Sequence, residues 1–439
     1  MSNNLDPKKF VLVQNESILY DEQMKTKSIG YYRDAFNRFK KNKASVVAAI
    51  ILIFIMLMSL VGPLVNDYSL KDDATKWSTR LKDMPPKIPG LEWMSLFDGT
   101  KVLTGETQNF SNLPEGIVLE VLGVNTIGQI TVRVDYYAYI NHKYSKEIDP
   151  LTQNFMSSAY SSLTTQEYDA VKAYELATGE TVILEDAAIL NGSYRVRVDY
   201  FKFLEAVYGV DKVEFWFGST GQGDDLFTVL FEGARVSLLL AFSVAIINIL
   251  IGVVVGSISG YYGGTIDLVI ERLSEILSGL PFLAILTLLI LRFGSDWFVV
   301  LFAFTLTGWL GTASVTRTQF YRYKNREYVL AARTLGAGDV RIMAKHIFPN
   351  ILGTLITSVV LYVPGIIFSE STFSYLGIIN YDGVTSVGTL LANGQSVMKD
   401  SFNQILFPAI FISLLMLSFN LFGNGLRDAF NPSLRGVEE

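Results

Sequence analysis

REYVLAARTLGAGDVRIMAKHIFPN, residues 326–350, is a polar and basic island between two long apolar runs. Read as helix, Tyr328, Ala331, Ala332 and Leu335 fall at i, i+3, i+4 and i+7. They line one face with small and apolar side chains, while Glu327, Arg333 and Thr334 point elsewhere. Gly336 stands just past the last periodic residue, where a glycine closes a helix in the left-handed conformation, and Asp339 is placed to cap a second helix. Val340, Met343, Ala344 and Ile347 repeat the spacing, and Pro349 either ends the segment or begins the next helix at its first position. The stretch is predicted to be a helix-turn-helix elbow. Periodicity alone leaves a plainer reading open, a solvated linker lying against a membrane.

Bulk composition points to the bilayer. Of 439 residues, 50% are hydrophobic, 13% aromatic and only 18% charged, and the mean hydropathy is +0.33, which is too apolar for a soluble chain of this length. The chain has no cysteine, so disulfides, thiolate metal sites and cysteine nucleophiles are excluded together. Only His142 and His346 can supply imidazole, which argues against a zinc enzyme.

Residues 1–44 read as a cytoplasmic tail ending in a basic interfacial helix. In it, Tyr32, Ala35, Phe36 and Phe39 share a face, and Arg33, Arg38, Lys40, Lys41 and Lys43 supply the charge. Residues 45–66 carry no charge before Asp67 and suffice to cross a hydrocarbon core that needs roughly 20 apolar residues. The basic cluster before them puts the N-terminus inside. Residues 67–225 contain no run long enough to span and more acidic than basic side chains, as expected of an extracellular section.

Within that section, alternation over 117–122 and 129–140 predicts strands, and 164–178 predicts a helix capped by Thr164 or Thr165, giving an α+β insertion. Val132–Ile140 and Val196–Leu204 share Val-Arg-Val-Asp-Tyr. Such an echo marks two strands paired in one sheet, a duplicated ββα unit or a coincidental strand preference. Exposed Tyr and Trp there could also contact a peptide or a binding protein.

Five further apolar runs follow, at 236–259, 266–291, 297–315, 351–373 and 404–422, making six spans. Six crossings from an inside start return the C-terminal tail, residues 425–439, to the cytoplasm and put the loop 320–350 there too. Arg317, Arg322, Lys324, Arg326, Arg333, Arg341 and Lys345 agree with that side. Glu271, Arg272 and Glu275 are close enough for contacts within one helix, and Arg292 and Glu370 fall toward the outer face. This scarcity of mid-membrane charge argues for an external energy source rather than ion coupling. Pro281 and Pro364 are expected kinks, with Pro364-Gly365 the preferred bend.

Several of these motifs resemble one family. Ala331-Ala332, Gly336, Ile342, His346-Ile347 and Pro349 are similar to the "EAA" loop of bacterial ABC importer permeases, with Leu330 where Glu often stands. Phe217, Gly218, Gly223, Asp225, Leu226, Phe227, Gly233, Ala234, Arg235 and Ser237 resemble the segment before the second span of oligopeptide and dipeptide permeases, with Asp224 in place of the usual Arg. Gly260–Gly264, Ser369–Gly377 and Ser418–Gly436 continue the likeness, with Asn424 where Asp is frequent.

The resemblance implies an all-α integral membrane protein of six transmembrane helices, of the type I ABC importer permease kind. The large α+β insertion would lie between the first two helices, and the permease core would occupy residues 226–424. It implies a bacterial plasma-membrane subunit that moves peptides across the lipid bilayer with a second homologous permease, two ATPase subunits and an extracellular substrate-binding protein. ATP and Mg would be bound by the ATPases; no cofactor, metal, catalytic residue or nucleic acid is expected on this chain, which lacks any Gly-Lys dipeptide for a phosphate loop. Tyr328, Ala331, Ala332 and Leu335 would form the docking face on the ATPase and Gly336 the turn. Glu327 and Arg333 would be rim charges, Asp339 a cap, and His346 and Pro349 structural. Nickel or other non-peptide cargo, and an anchored extracellular receptor, are the alternatives.

Overall fold

The computed structural model describes residues 31–65, 79–145, 161–190, 193–209 and 213–430. The expected tails at 1–30 and 431–439 lie outside the described residues. A basic helix, α1 (Tyr31–Lys41), runs through Asn42 into the first apolar helix, α2 (Lys43–Val65).

The insertion is built twice. Its first half runs β1 (Thr100–Glu106), α3 (Thr107–Ser111), β2 (Val118–Val124), β3 (Gln129–Asp135) and α4 (Tyr136–Ser145). The second runs β4 (Ser161–Leu163), α5 (Thr165–Thr178), β5 (Ile183–Leu190), β6 (Ser193–Val198) and α6 (Tyr200–Tyr208). Both sheets are antiparallel, ordered β1-β3-β2 and β4-β6-β5.

The two Val-Arg-Val-Asp-Tyr segments occupy the same place in each half, at the end of the central strand, and they do not pair with one another. Val132, Val134, Val196 and Val198 point into the cores. The strand expected over 129–140 stops at Asp135. The Asp135 carboxylate accepts the Ala138 N–H at 3.1 Å, and that of Asp199 accepts the Lys202 N–H at 3.2 Å, so each aspartate caps the helix that follows. Thr164 caps α5 reciprocally with Glu167.

The helical bundle follows as α7 (Leu226–Tyr262), α8 (Gly264–Ser278), α9 (Phe282–Phe293), α10 (Trp297–Tyr323), α11 (Glu327–Thr334), α12 (Asp339–Arg341), a π-helix (Ile342–Ile347), α13 (Phe348–Val360), α14 (Tyr362–Tyr375), α15 (Val387–Ser396) and α16 (Asn403–Phe430). Among the described residues, five helical runs are long and apolar enough to cross a membrane, and six if α8 and α9 count as one broken span.

That pair corrects the continuous span expected over 266–291. It bends by 72°, because Gly279 and Pro281 interrupt the helix and proline brings no N–H to the ladder. The run from 351 to 373 is also broken, at Leu361. Pro364 lacks the N–H that would bond the Val360 carbonyl, so the break falls three residues before the proline. The short α15, with its Ser386–Thr389 capping box, was not anticipated.

Small residues set the closest packing. Asn248, Gly252, Gly256 and Gly260 recur every four residues along α7 as one ridge facing α10. A Cβ on Gly256 would lie 2.3 Å from the Ala313 carbonyl oxygen. Ala35 and Phe39 of α1 bury against the end of α16, with Phe39 edge-on to Phe422 at 5.5 Å.

Glu370 is fully buried. It accepts hydrogen bonds from Ser237 at 3.0 Å, Ser374 at 3.2 Å and Ser371 at 3.3 Å, joining α14 to α7. The base of the insertion is pinned to the bundle by Gln404 donating to Asp83 at 2.7 Å and Asn403 donating to the Phe217 carbonyl at 2.8 Å.

Candidate functional site

At the end of the bundle where α10 runs out, α11 turns away from Tyr323 and exposes Glu327, Tyr328, Leu330, Ala331, Arg333, Thr334 and Leu335. Leu335 is 89% exposed and Val340 73%. The buried stripe consists of Val329 and Ala332, and Val329 packs with Phe320, Ile342, Ile347 and Ile351. Ala332 therefore does not share the outward face with Tyr328, Ala331 and Leu335. Its i+3 spacing from Val329 puts it on the same buried side of the helix.

Gly336 has φ +85° and makes the turn as the sequence predicts; its N–H bonds the Arg333 carbonyl, and the Ala337 N–H bonds that of Ala332. Asp339 is not the cap of the second helix. Gly338 holds the cap position, and the Asp339 carboxylate instead accepts the Tyr261 hydroxyl at 2.6 Å. The same hydroxyl oxygen accepts from Arg333 Nη2 at 3.1 Å. Arg333 stays exposed and is also tied across to α7, and this bond holds its guanidinium further into the charged range.

His346 acts through its backbone: its carbonyl accepts the Asn350 amide at 2.7 Å, and among the described residues its ring makes no hydrogen bond. Pro349 is the second residue of α13, directly after the π-helix. The wide turn relieves the clash between a proline ring and the carbonyl four residues before it.

A second cluster steadies the link Gly260–Gly264. Asp267 takes a two-bond contact from Arg317, at 2.6 and 2.8 Å, a hydrogen bond from Tyr321 at 3.2 Å and one from Ser259. Lys324 donates to the carbonyls of Gly260 at 3.0 Å and Tyr261 at 3.3 Å while lying over the Tyr321 ring. Sequence reasoning weighed Glu271, Arg272 and Glu275 and passed over Asp267. An aspartate at the start of an apolar run was the available signal. Of the three, Glu271 reaches Arg317 at 3.1 Å and Arg272 pairs with Glu275.

Comparison with known proteins places this geometry. The sequence profile described as "Binding-protein-dependent transport system inner membrane component" matches residues 252–436, which include the whole elbow. The dipeptide transport system permease protein DppC of Bacillus subtilis is 42% identical over 221 residues, 50% of this chain and 69% of that protein. The chain belongs to this family of permeases.

A second profile, "N-terminal TM domain of oligopeptide transport permease C", matches residues 30–86. The oligopeptide transport system permease protein OppC of the same organism is 40% identical over 220 residues, 50% of this chain and 72% of that protein. Among solved structures, an inward-facing MetNI methionine ABC transporter chain is 16% identical, with a TM-score of 0.36, covering 46% of this permease and 96% of that chain. Membership, together with the long apolar helices, makes this permease a multi-pass membrane protein, and the α+β insertion is carried between its first two spans.

Proposed function

We propose that the chain is the permease subunit of an ATP-driven peptide importer, forming half of the translocation pathway. Its relatives are peptide transport permeases. The observation that carries the coupling role is the elbow itself, whose exposed Tyr328, Ala331 and Leu335 stand on and at the end of a short helix that is packed beneath through Val329. A solvated linker would have no reason to hold Leu335 out on a rigid support, whereas a surface that receives a partner does.

In this reading two ATPase subunits bind ATP and Mg, and one docks on the elbow. A second homologous permease completes the pathway and an extracellular binding protein delivers peptide. Both termini and the elbow face the cytoplasm, and residues 67–225 face outward. Closure of the ATPase dimer would push the elbow and swing the spans between inward- and outward-open states.

Because the chain has no native cysteine, a single Ala331→Cys or Leu335→Cys is the sole thiol on it. Thiol cross-linking from either position to a cysteine-bearing ATPase subunit in the assembled transporter is the expected result. Cross-linking that fails at both positions, with uptake of short peptides intact, would reject the coupling assignment.

A further inference from the structure

The elbow and the bundle are joined by more than the chain that connects them. Arg333 and Asp339 stand on opposite sides of the Gly336 turn, one at the end of α11 and the other at the start of α12. Both meet at one atom, the Tyr261 hydroxyl oxygen, 3.1 Å from Arg333 Nη2 and 2.6 Å from Asp339 Oδ1. Tyr261 is the penultimate residue of α7 and only 6% exposed. Its ring lies in the same apolar cluster as Val329, Ile342 and Ile347, and the Arg333 guanidinium lies over it at 5.7 Å. Its backbone carbonyl is held in turn by Lys324. Such an arrangement fixes the angle between the two arms of the elbow and fastens both to the end of α7.

We infer that Tyr261 is a positioning residue for energy coupling: its hydroxyl clamps the two arms of the elbow to α7, so that displacement of the elbow is delivered to α7 and, through the glycine ridge, to α10. This inference rests on the proposed docking role and adds the route by which movement leaves the elbow. The covalent connections at Tyr323 and Phe348 reach only α10 and α13. The ridge Gly252-Gly256-Gly260 then carries the push, because its backbone contacts with α10 leave no room for sliding.

The test uses the assembled transporter with spin labels on Lys345→Cys in the elbow and Val254→Cys on the exposed face of α7. In the otherwise native chain the label-to-label distance stays narrowly distributed as ATP replaces ADP. Tyr261→Phe keeps the ring and its packing but loses both hydrogen bonds to charged partners. The distribution is expected to broaden, and peptide taken up per ATP hydrolysed to fall at least about threefold. Melting temperature alone would report a purely structural role; the transport-to-hydrolysis ratio would not move with it. If Tyr261→Phe does not assemble, the pair Arg333→Leu with Asp339→Ala removes both partners of the hydroxyl and is expected to broaden the distances equally.

Unchanged widths and an unchanged ratio in the variant that assembles would overturn the clamp. The Ala331→Cys cross-link separates the two ideas. Where it forms but Tyr261→Phe has no effect, the clamp fails and the docking role stands; where it does not form in the otherwise native chain, the docking role fails first.

Discussion

Arg317 and Asp267 meet side by side, with Nε 2.6 Å from Oδ1 and Nη2 2.8 Å from Oδ2, and so join α10 to α8 at the elbow's end of the bundle. The carboxylate is only 10% exposed, the guanidinium 32%. Removing the arginine leaves a nearly buried charge held by Ser259 and Tyr321 alone. Arg317→Gln is expected to destabilise the purified protein by about 2–4 kcal/mol, below the full cost of breaking a buried pair because the arginine is partly solvated. Adding Asp267→Asn removes the stranded charge and should recover part of the loss. Thermal melts of the two variants check this, and a double variant worse than the sum of both singles would contradict it.

The ridge on α7 makes a sharper demand. At Gly256 a single added carbon would sit 2.3 Å from the Ala313 carbonyl oxygen and 2.8 Å from the Thr316 side chain, whereas at Gly311 on α10 nothing lies within 4 Å. Gly256→Ala should therefore push α7 from α10 and cost several degrees of melting temperature, and Gly311→Ala should be neutral or slightly stabilising, since alanine is the better helix former. Equal melting temperatures for the two variants would show that the ridge is not close-packed.

The sequence made the helices and the elbow legible because their signals are local: long apolar runs, periodic faces, and a glycine where φ must be positive. The Val-Arg-Val-Asp-Tyr echo was equally visible. Its aspartates, however, act as helix caps, and the extended alternation beyond Asp135 looked like more strand because aromatic residues suit either state. What was not legible depends on contacts between distant elements. Tyr261 lies more than seventy residues from Arg333 and Asp339, and Ala332 differs from Ala331 only in which neighbour covers it. The 72° break between α8 and α9 was signalled by Gly279 and Pro281, yet the apolar run continues across it and conceals the bend.

Acid should loosen the second half of the insertion through Glu175. Burial pushes its carboxyl up, but the N–H groups of Ile183 and Val182, at 2.7 and 2.8 Å, and the Lys172 ammonium outweigh that and leave it below the ordinary range. A carboxyl depressed in the folded state contributes stability above its unfolded value of about 4.3 and loses it as pH falls through the folded value. Glu175→Gln should therefore speed hydrogen exchange at Val182 and Ile183 at pH 7, and the difference from the unaltered chain should shrink below about pH 4. A difference that grows on acidification would reverse the assigned sign.

Gly336 separates backbone strain from crowding. Its φ is +85° with no atom within 4 Å of the place a Cβ would take, so any side chain fits in space but not in conformation. Holding an ordinary L-residue left-handed costs about 1–2 kcal/mol, small against the stability of a bundle and large against the fixed angle of an eight-residue helix. Gly336→Leu is thus expected to insert and melt normally while the turn relaxes, pulling Arg333 and Asp339 apart from Tyr261. Peptide uptake should fall tenfold or more, and cross-linking from Ala331→Cys should weaken. Gly336→Asn, which tolerates the left-handed region, should keep most of the uptake. Gly338→Ala, two residues on with φ −72° and open space around it, should keep all of it. Normal uptake by Gly336→Leu would mean that the angle of the elbow does not govern coupling.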